Sequence, residues 1–159
     1  MNIHIICVGK LKEKFYAEAV SEYRKRLSAF CKLQITELSE ERLPPNPSRA
    51  LMEAALSKEA QAIRARIPPG ANVVALCIEG KERSSEELAA LFRGWEVGPD
   101  KALVFLIGSS FGLDEGLKQE ARVKLSMSPM TFPHHLARVM LLEQIYRAFR
   151  ILKNQPYHK

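Results

Sequence analysis

The segment "ALVFLIG" at residues 102–108 is apolar at every position before its glycine. A strand that is apolar on both faces must be covered on both faces, as in parallel sheets with helices on each side. The segments "IHIICVG" and "NVVALCI", at residues 3–9 and 72–78, have the same character. Segments with a helical period follow them, so the sequence predicts an α/β fold built on a parallel sheet.

The other elements continue this alternation within what we predict to be one domain, residues 1–159. Residues 12–29 have apolar side chains four apart, and "KLQITEL" at 32–38 alternates as a strand. Ser48 is expected to cap a helix that runs to about Ile67. Ser84 and Glu87 form a capping box for a helix that ends near Gly98 and Pro99. The last predicted elements are a short helix after "GLDEG", a strand "VKLSMS" and a closing helix at about 136–153.

The composition is that of an ordinary globular chain, with 47% hydrophobic and 26% charged residues. No apolar run approaches the roughly 20 residues that a membrane span needs, so we expect no membrane segment. The first strand follows the initiator methionine without a basic leader or a cleavage site. We therefore expect no signal peptide and a cytoplasmic location.

Positive charge is concentrated at the two ends of the chain, whose formal net charge is +6. Residues 1–35 have seven basic and three acidic side chains, and residues 134–159 have five basic and one acidic. If the two ends meet in space, they form a basic surface of the kind that attracts phosphate backbones. A solvated helix face with scattered charges explains the same pattern equally well.

The cysteines and histidines do not have the spacing of a metal site. Cys7, Cys31 and Cys77 are odd in number and lack a C-x-x-C pattern, so we expect buried, reduced thiols. The residue four after His134 is Arg138, and the other histidines are scattered. The sequence predicts no metal.

Loops at the carboxyl ends of the predicted strands are the candidate ligand sites, because such ends converge at one edge of a parallel sheet. "LIGSSFGLDEG" has three glycines but neither a Walker A nor a dinucleotide pattern, so an ordinary strand-to-helix turn explains it as well. "LCIEGK" follows the third strand. "SMSPMTFP" is uncharged and contains two prolines. This last loop either packs as core or presents its backbone to a flat heteroaromatic ligand, with Met127, Met130 and Phe132 as walls.

The closing helix is apolar over most of its circumference. One wide arc contains Leu141 and Ile145, while Leu136 and Met140 lie on the other side. Such a helix needs burial on two faces, so we predict that it packs on its own sheet and on a second subunit. Arg138 falls inside the apolar arc, where a charge needs a partner: an ion pair or an anionic substrate.

Four segments, "ICVGKLKEKFY", "LIGSSFGL", "LSMSPMTFPHHLARVMLLEQIYRA" and the terminal "PYHK", resemble the RlmH family of large-subunit rRNA pseudouridine N3-methyltransferases, which belongs to the SPOUT class. The resemblance covers essentially the whole chain. It implies a C-terminal trefoil knot in the parallel sheet, a homodimer and S-adenosyl-L-methionine as cofactor. The implied cofactor residues are Leu76, Gly108, Met127, Ser128, Pro129, Met130, Thr131 and Phe132.

One position departs from the family, which usually has a second glycine where this chain has Ser109. The loop keeps its geometry if Ser109 avoids positive φ. We also expect Gly108→Arg to fill the cofactor pocket and to leave the fold intact.

The resemblance further implies the substrate, a pseudouridine at the 1915 site of 23S rRNA in the assembled ribosome, methylated on N3. It places the tail "QPYHK" in the active site, although the tail has too little apolar surface to matter for the core. We therefore expect His158 and Tyr157 of the tail to be catalytic, with Lys159 meeting phosphate, and Arg138 of the closing helix is a further catalytic candidate. The competing hypothesis is a non-catalytic ribosome-binding factor on the same fold.

Overall fold

A computed structural model describes residues 1–95 and 102–157 of the chain. Its elements follow the predicted order. Their bounds are β1 Asn2–Val8, α1 Lys14–Leu27, β2 Lys32–Leu38, α2 Arg49–Arg64, β3 Asn72–Glu82, α3 Ser85–Trp95, β4 Ala102–Ile107, α4 Glu115–Glu120, β5 Val123–Ser126 and α5 His134–Leu152. The predicted helix end near Gly98 and Pro99 lies outside the described residues.

The five strands form one sheet in the order β2-β1-β4-β3-β5, and every pair is parallel. The predicted α/β fold with a parallel sheet is therefore confirmed. All carboxyl ends lie at the same edge, where loops and helix starts converge. The trefoil knot stays a prediction.

Helices cover both faces of this sheet. α1, α3 and α5 pack together on one face, and α2 and α4 cover the other. Along β1, Ile3, Ile5 and Cys7 point to the first layer, while Ile6 and Val8 point to the second. Since all five are at most 1% exposed, β1 buries apolar side chains on both of its faces, for the reason that the sequence suggested.

The two predicted serine caps are confirmed. Ser48 Oγ accepts a hydrogen bond from the backbone N–H of Leu51 at 3.2 Å, at the start of α2. Ser84 Oγ accepts from the N–H of Glu87 at 3.1 Å, and the Glu87 carboxylate accepts from the N–H of Ser84 at 2.7 Å. This reciprocal pair is a capping box, and it fixes where α3 begins.

Strand β3 is longer than predicted, because it continues through "EGKE" to Glu82. Its pairing with β5 shifts there: both Leu76 and Lys81 pair with Leu125, so the four residues between them bulge from the ladder. A Cβ on Gly80 would lie 2.7 Å from backbone carbons of Lys124 and Leu125, so this close approach requires glycine. The sequence did not predict this continuation, because the residues after Ile78 are polar and do not look like a buried strand.

Helix α5 buries its wide apolar arc in the chain's own core. Leu141, Ile145 and Phe149 are at most 4% exposed there. Leu136 and Met140, on the other side of the helix, are only half-buried. The face available to a second subunit is therefore the narrower one that contains Leu136 and Met140.

The cysteines are free, as expected, but only Cys7 is fully buried. Burial raises the pKa of the Cys7 and Cys31 thiols to about 11. In the described part of the chain, no helix is long and apolar enough to cross a bilayer. Nor do three His, Cys, Asp or Glu side chains in residues 1–95 and 102–157 group closely enough to hold a metal ion.

Candidate functional site

An apolar cleft opens at the carboxyl edge of the sheet, between the loops that follow β3, β4 and β5. It encloses about 550 Å³ of space, part of it open to solvent. Six of the predicted cofactor residues line it together: Leu76, Gly108, Met127, Ser128, Met130 and Phe132. Pro129 and Thr131 belong to the same loop but are exposed and do not line the cleft. We call this site the apolar cleft.

Ser128 shapes the uncharged loop. Its hydroxyl accepts a hydrogen bond from the N–H of Met130 at 3.0 Å, and its carbonyl accepts from the Ser126 hydroxyl at 3.1 Å. Both bonds hold the turn that brings Met127 and Phe132 to the wall of the cleft. The loop therefore offers a ligand its backbone groups and the O–H of Ser128, which these two bonds do not use.

Gly108 is required by the turn after β4 as well as by the cleft. A Cβ at this position would lie 2.2 Å from the carbonyl oxygen of Gly112. Gly112 closes the turn with positive φ, +85°, and its N–H donates to the Ser109 carbonyl at 2.9 Å. The ordinary turn that the sequence left open as an alternative is therefore present. The expectation that Gly108→Arg leaves the fold intact is wrong, since any side chain here meets backbone.

Ser109, which departs from the family pattern, does not adopt positive φ. Its hydroxyl donates to the Glu59 carboxylate on α2 at 3.0 Å. The other oxygen of Glu59 accepts from the N–H of Glu41 at 3.0 Å. Both side chains are 6% exposed, and burial raises the pKa of Glu59. The serine thus ties one wall of the apolar cleft to α2 and to the loop after β2.

Arg138 is 1% exposed and forms an ion pair with Glu37, at the end of β2. Its guanidinium also donates to the carbonyl of Gly9 at 2.8 Å. Glu37 accepts in addition from the N–H of Leu11 at 3.2 Å. The ion-pair alternative for Arg138 is confirmed. A contact between Arg138 and the substrate stays a prediction. Because its side chain is buried, Arg138 is suited to holding neighbouring groups in position.

A second cleft adjoins the first, and we call it the histidine cleft. Its walls include Lys10, Lys12, Phe111, His134 and His135. His134 lines both clefts and therefore stands between them. Burial, followed by the neighbouring His135, lowers the pKa of His134. A neutral imidazole at this boundary can accept a proton.

The histidine spacing was tested only against a metal site, so the position of His134 between the clefts was not predicted. His134 is the first residue of α5, directly after the uncharged loop and Pro133. Its ring lies against Gly9, where a Cβ would be 2.8 Å from the imidazole Nε2. A histidine at the helix start beside a candidate ligand loop is the signal that could have indicated it.

Tyr157 lies on the side of α5, outside the apolar cleft of its own chain. Its hydroxyl donates to Glu143 at 2.8 Å, and its ring packs edge-on against Tyr146 with 5.0 Å between centroids. Glu143 is about 13 Å along the helix axis from His134. The expectation that the tail does not matter for the core is wrong for Tyr157, which packs against the main core cluster. His158 and Lys159 lie outside the described residues.

The two basic ends of the chain meet, because α1 and α5 pack side by side. Tyr23 on α1 donates to Glu143 on α5 at 2.7 Å. Lys14, at the start of α1, is exposed, as are Lys10 and Lys12 just before it; Lys10 and Lys12 line one cleft with the first residues of α5. The condition for a shared basic surface is therefore met.

Comparison with known proteins places the whole chain in one family. The model of the family described as predicted SPOUT methyltransferase matches residues 1–158. The chain is 48% identical to a ribosomal RNA large subunit methyltransferase H of Bifidobacterium animalis subsp. lactis (strain AD011) and 48% identical to one of Bacillus pumilus (strain SAFR-032). It is 50% identical to a putative methyltransferase of that name from Methanococcus vannielii. Each match covers 100% of both chains.

Replacing Gly108 by alanine should lower stability and ligand affinity together, because its Cβ pushes the Gly112 turn away. We expect the free energy of unfolding to fall by about 1–3 kcal/mol, the usual cost of overpacking. Urea denaturation and calorimetry with S-adenosylmethionine measure the two effects. Gly94→Ala in α3 is the control: nothing lies within 4 Å of its Cβ, so stability should not fall and should rise slightly with the better helix former. Unchanged stability of Gly108→Ala would contradict the prediction, because it would mean that the Gly112 turn can move at no cost in free energy.

Replacing Glu59 by glutamine should stabilise the fold at neutral pH. Because the folded-state pKa of Glu59 is raised, the wild-type protein loses stability as pH rises through that pKa, whereas glutamine stays neutral. In urea denaturation at pH 7, the variant should have the larger free energy of unfolding. This difference should vanish below about pH 4, where Glu59 is protonated in the unfolded state as well. Glu53→Gln, on the exposed side of α2, should change little. A variant less stable than wild type at pH 7 would contradict the prediction.

Proposed function

The chain belongs to the SPOUT methyltransferase family and is a methyltransferase, and on that premise we propose that it methylates large-subunit ribosomal RNA with S-adenosylmethionine as donor. The proposed target is N3 of a pseudouridine in 23S rRNA of the assembled ribosome, in the cytoplasm. The observation that carries the proposal is the apolar cleft, in which six of the eight predicted cofactor residues meet beside a histidine.

The residues of the apolar cleft fit this cofactor. Leu76, Met127 and Phe132 offer apolar walls for the adenine ring, and the backbone of the uncharged loop offers hydrogen bonds along its edge. Thioether and aromatic side chains adapt well to such a flat ligand. When bound, S-adenosylmethionine supplies an electrophilic methyl group. The chain's own task is to hold it there and to keep water away.

The N3–H of a pseudouridine is only weakly acidic, so the site has to favour its anion. Neutral imidazole can accept this proton, and cationic side chains can stabilise the charge that remains. For the tail we propose that Tyr157 contacts the flipped base, that His158 helps to remove the proton or stabilises the anion, and that Lys159 meets phosphate. Arg138 serves as a positioning residue through its bond to the Gly9 carbonyl.

A homodimer reconciles this role with the position of Tyr157. Within one chain its hydroxyl is bound to Glu143, some distance from the apolar cleft. The side of α5 that contains Leu136 and Met140 is half-buried and available to a second subunit. We propose that this contact delivers the tail of one subunit to the cleft of the other. The C-terminal trefoil knot is part of the same proposal.

Two measurements on the wild-type protein test the function. Calorimetry should show binding of S-adenosylmethionine, and ribosomes that lack the modification should accept a labelled methyl group on 23S rRNA. A ribosome-binding factor without catalysis would bind ribosomes in the absence of cofactor and transfer no label. That result would replace the proposed function by the competing one.

Removal of residues 156–159 tests the tail. We expect a folded protein that still binds S-adenosylmethionine and no longer methylates ribosomes, since the truncation removes the proposed base contacts. Tyr157→Phe is the matched variant, because it keeps the ring on Tyr146 and loses only the hydroxyl bond to Glu143. Near wild-type turnover of the truncated protein would exclude a catalytic tail.

The dimer contact is tested by Met140→Glu, since Met140 is on the half-buried side of α5. A buried carboxylate without a partner is costly, so we expect monomers that retain the fold. Light scattering reports the mass, and circular dichroism reports the fold. Leu51→Glu on α2, an exposed position, should leave the dimer intact. A Met140→Glu protein that stays dimeric would place the interface elsewhere.

A further inference from the structure

A row of rings leads from the surface to the boundary between the two clefts. It begins at Phe15, whose ring centroid is 4.3 Å from that of Tyr16. Tyr16 lies edge-on to His135 at 6.2 Å, and His135 is 4.2 Å from His134. His134 lines the apolar cleft. The row therefore connects exposed surface with the proposed site of methyl transfer.

The outer end of this row is unusually exposed for an aromatic side chain. Phe15 is 62% exposed and contributes nothing to either core cluster. Large apolar side chains at the surface cost free energy that a binding partner can recover. Phe15 is the second residue of α1, and Lys10, Lys12 and Lys14, all of them exposed, precede it closely in the sequence.

The lysines beside Phe15 are available to an anionic partner. Among the described residues, no ion pair involves Lys10 or Lys12, and Lys14 faces Glu18 at 3.7 Å with both side chains largely in solvent.

The acidic residues of the histidine cleft are already engaged within the chain. Glu13 pairs with His135 at 3.4 Å, Glu40 accepts from the Ser110 hydroxyl at 2.8 Å, and Glu41 faces Lys58 at 3.7 Å. Among the described residues of this cleft, Lys10, Lys12 and Arg42 therefore remain as cations outside any ion pair.

The loop that presents these lysines is held at three points. The N–H of Gly9 donates to the Leu38 carbonyl at 2.8 Å, and the Gly9 carbonyl accepts from Arg138 at 2.8 Å. The N–H of Leu11 donates to Glu37 at 3.2 Å. A binding face on an anchored loop loses little conformational entropy when a partner arrives.

We propose that this face, formed by Lys10, Lys12 and Phe15, binds unpaired RNA nucleotides that adjoin the target base. A base stacks on the exposed ring of Phe15, and the phosphates on either side meet the two lysines. The target base then follows the row of rings inward to His134. The inference rests on the proposed function, because it takes the RNA substrate from there.

RNA fits this face better than a second copy of the chain does. Two copies packed through it would bring their lysines together, and like charges in contact oppose association. An RNA strand matches both parts of this face, because its bases can stack on the ring and its phosphates can pair with the lysines.

The test compares Phe15→Ala, Phe15→Trp and Leu51→Ala in binding to ribosomes that lack the modification. Loss of one stacked base should raise the dissociation constant of Phe15→Ala by about 5- to 150-fold. Phe15→Trp keeps a ring at this position and should bind like the wild type. Leu51, 47% exposed on α2, is the matched control and should have no effect. Affinity for S-adenosylmethionine and mass by light scattering should be unchanged in all three.

Salt dependence separates the ring from the lysines. Lys12→Gln should reduce the slope of log K against log salt concentration by about 0.7, the value for one lost contact to a single strand. Phe15→Ala should leave that slope unchanged. Ribosome binding by Phe15→Ala at wild-type affinity would overturn the inference, and so would a change in its oligomeric state. Failure of wild-type protein to methylate ribosomes would instead overturn the proposed function.

Discussion

The ion pair between the buried Arg138 and the partly exposed Glu37 fixes the start of α5 against the ends of β1 and β2. A guanidinium that is 1% exposed is tolerated only because a carboxylate and the Gly9 carbonyl satisfy it. Removing one partner from such a pair leaves an uncompensated charge, a loss that usually costs about 3–5 kcal/mol. The pair thereby ties the last helix of the chain to its first two strands.

The position of both clefts follows from this constraint. His134 is one helical turn before Arg138, so the ion pair holds its ring over Gly9, where the absence of a side chain leaves room for it. The same glycine carbonyl anchors the loop that presents the lysines. On the opposite wall, Ser109 and Glu59 fix the turn after β4 to α2. The apolar cleft is therefore held from two sides by buried polar contacts.

This arrangement suits a transfer reaction between a small flat donor and a large polyanion. The donor needs an enclosed apolar site with a few backbone hydrogen bonds, which the uncharged loop offers. The polyanion needs an accessible basic face, which the exposed lysines of the loop before α1 offer beside that site. His134 lies where the two regions meet. Family membership establishes a methyltransferase, and the surface chemistry supports the proposal that its acceptor is RNA.

The sequence by itself determined the strand order along the chain, the serine caps and the residues of the uncharged loop, because these depend on local periodicity and side-chain chemistry. It could not decide which partner Arg138 takes, since Glu37 is 101 residues away. Nor could it show that β3 bulges beside β5, that Gly108 faces backbone, or that His134 joins two clefts. Those features arise where distant segments approach, and only tertiary packing sets the distances between them.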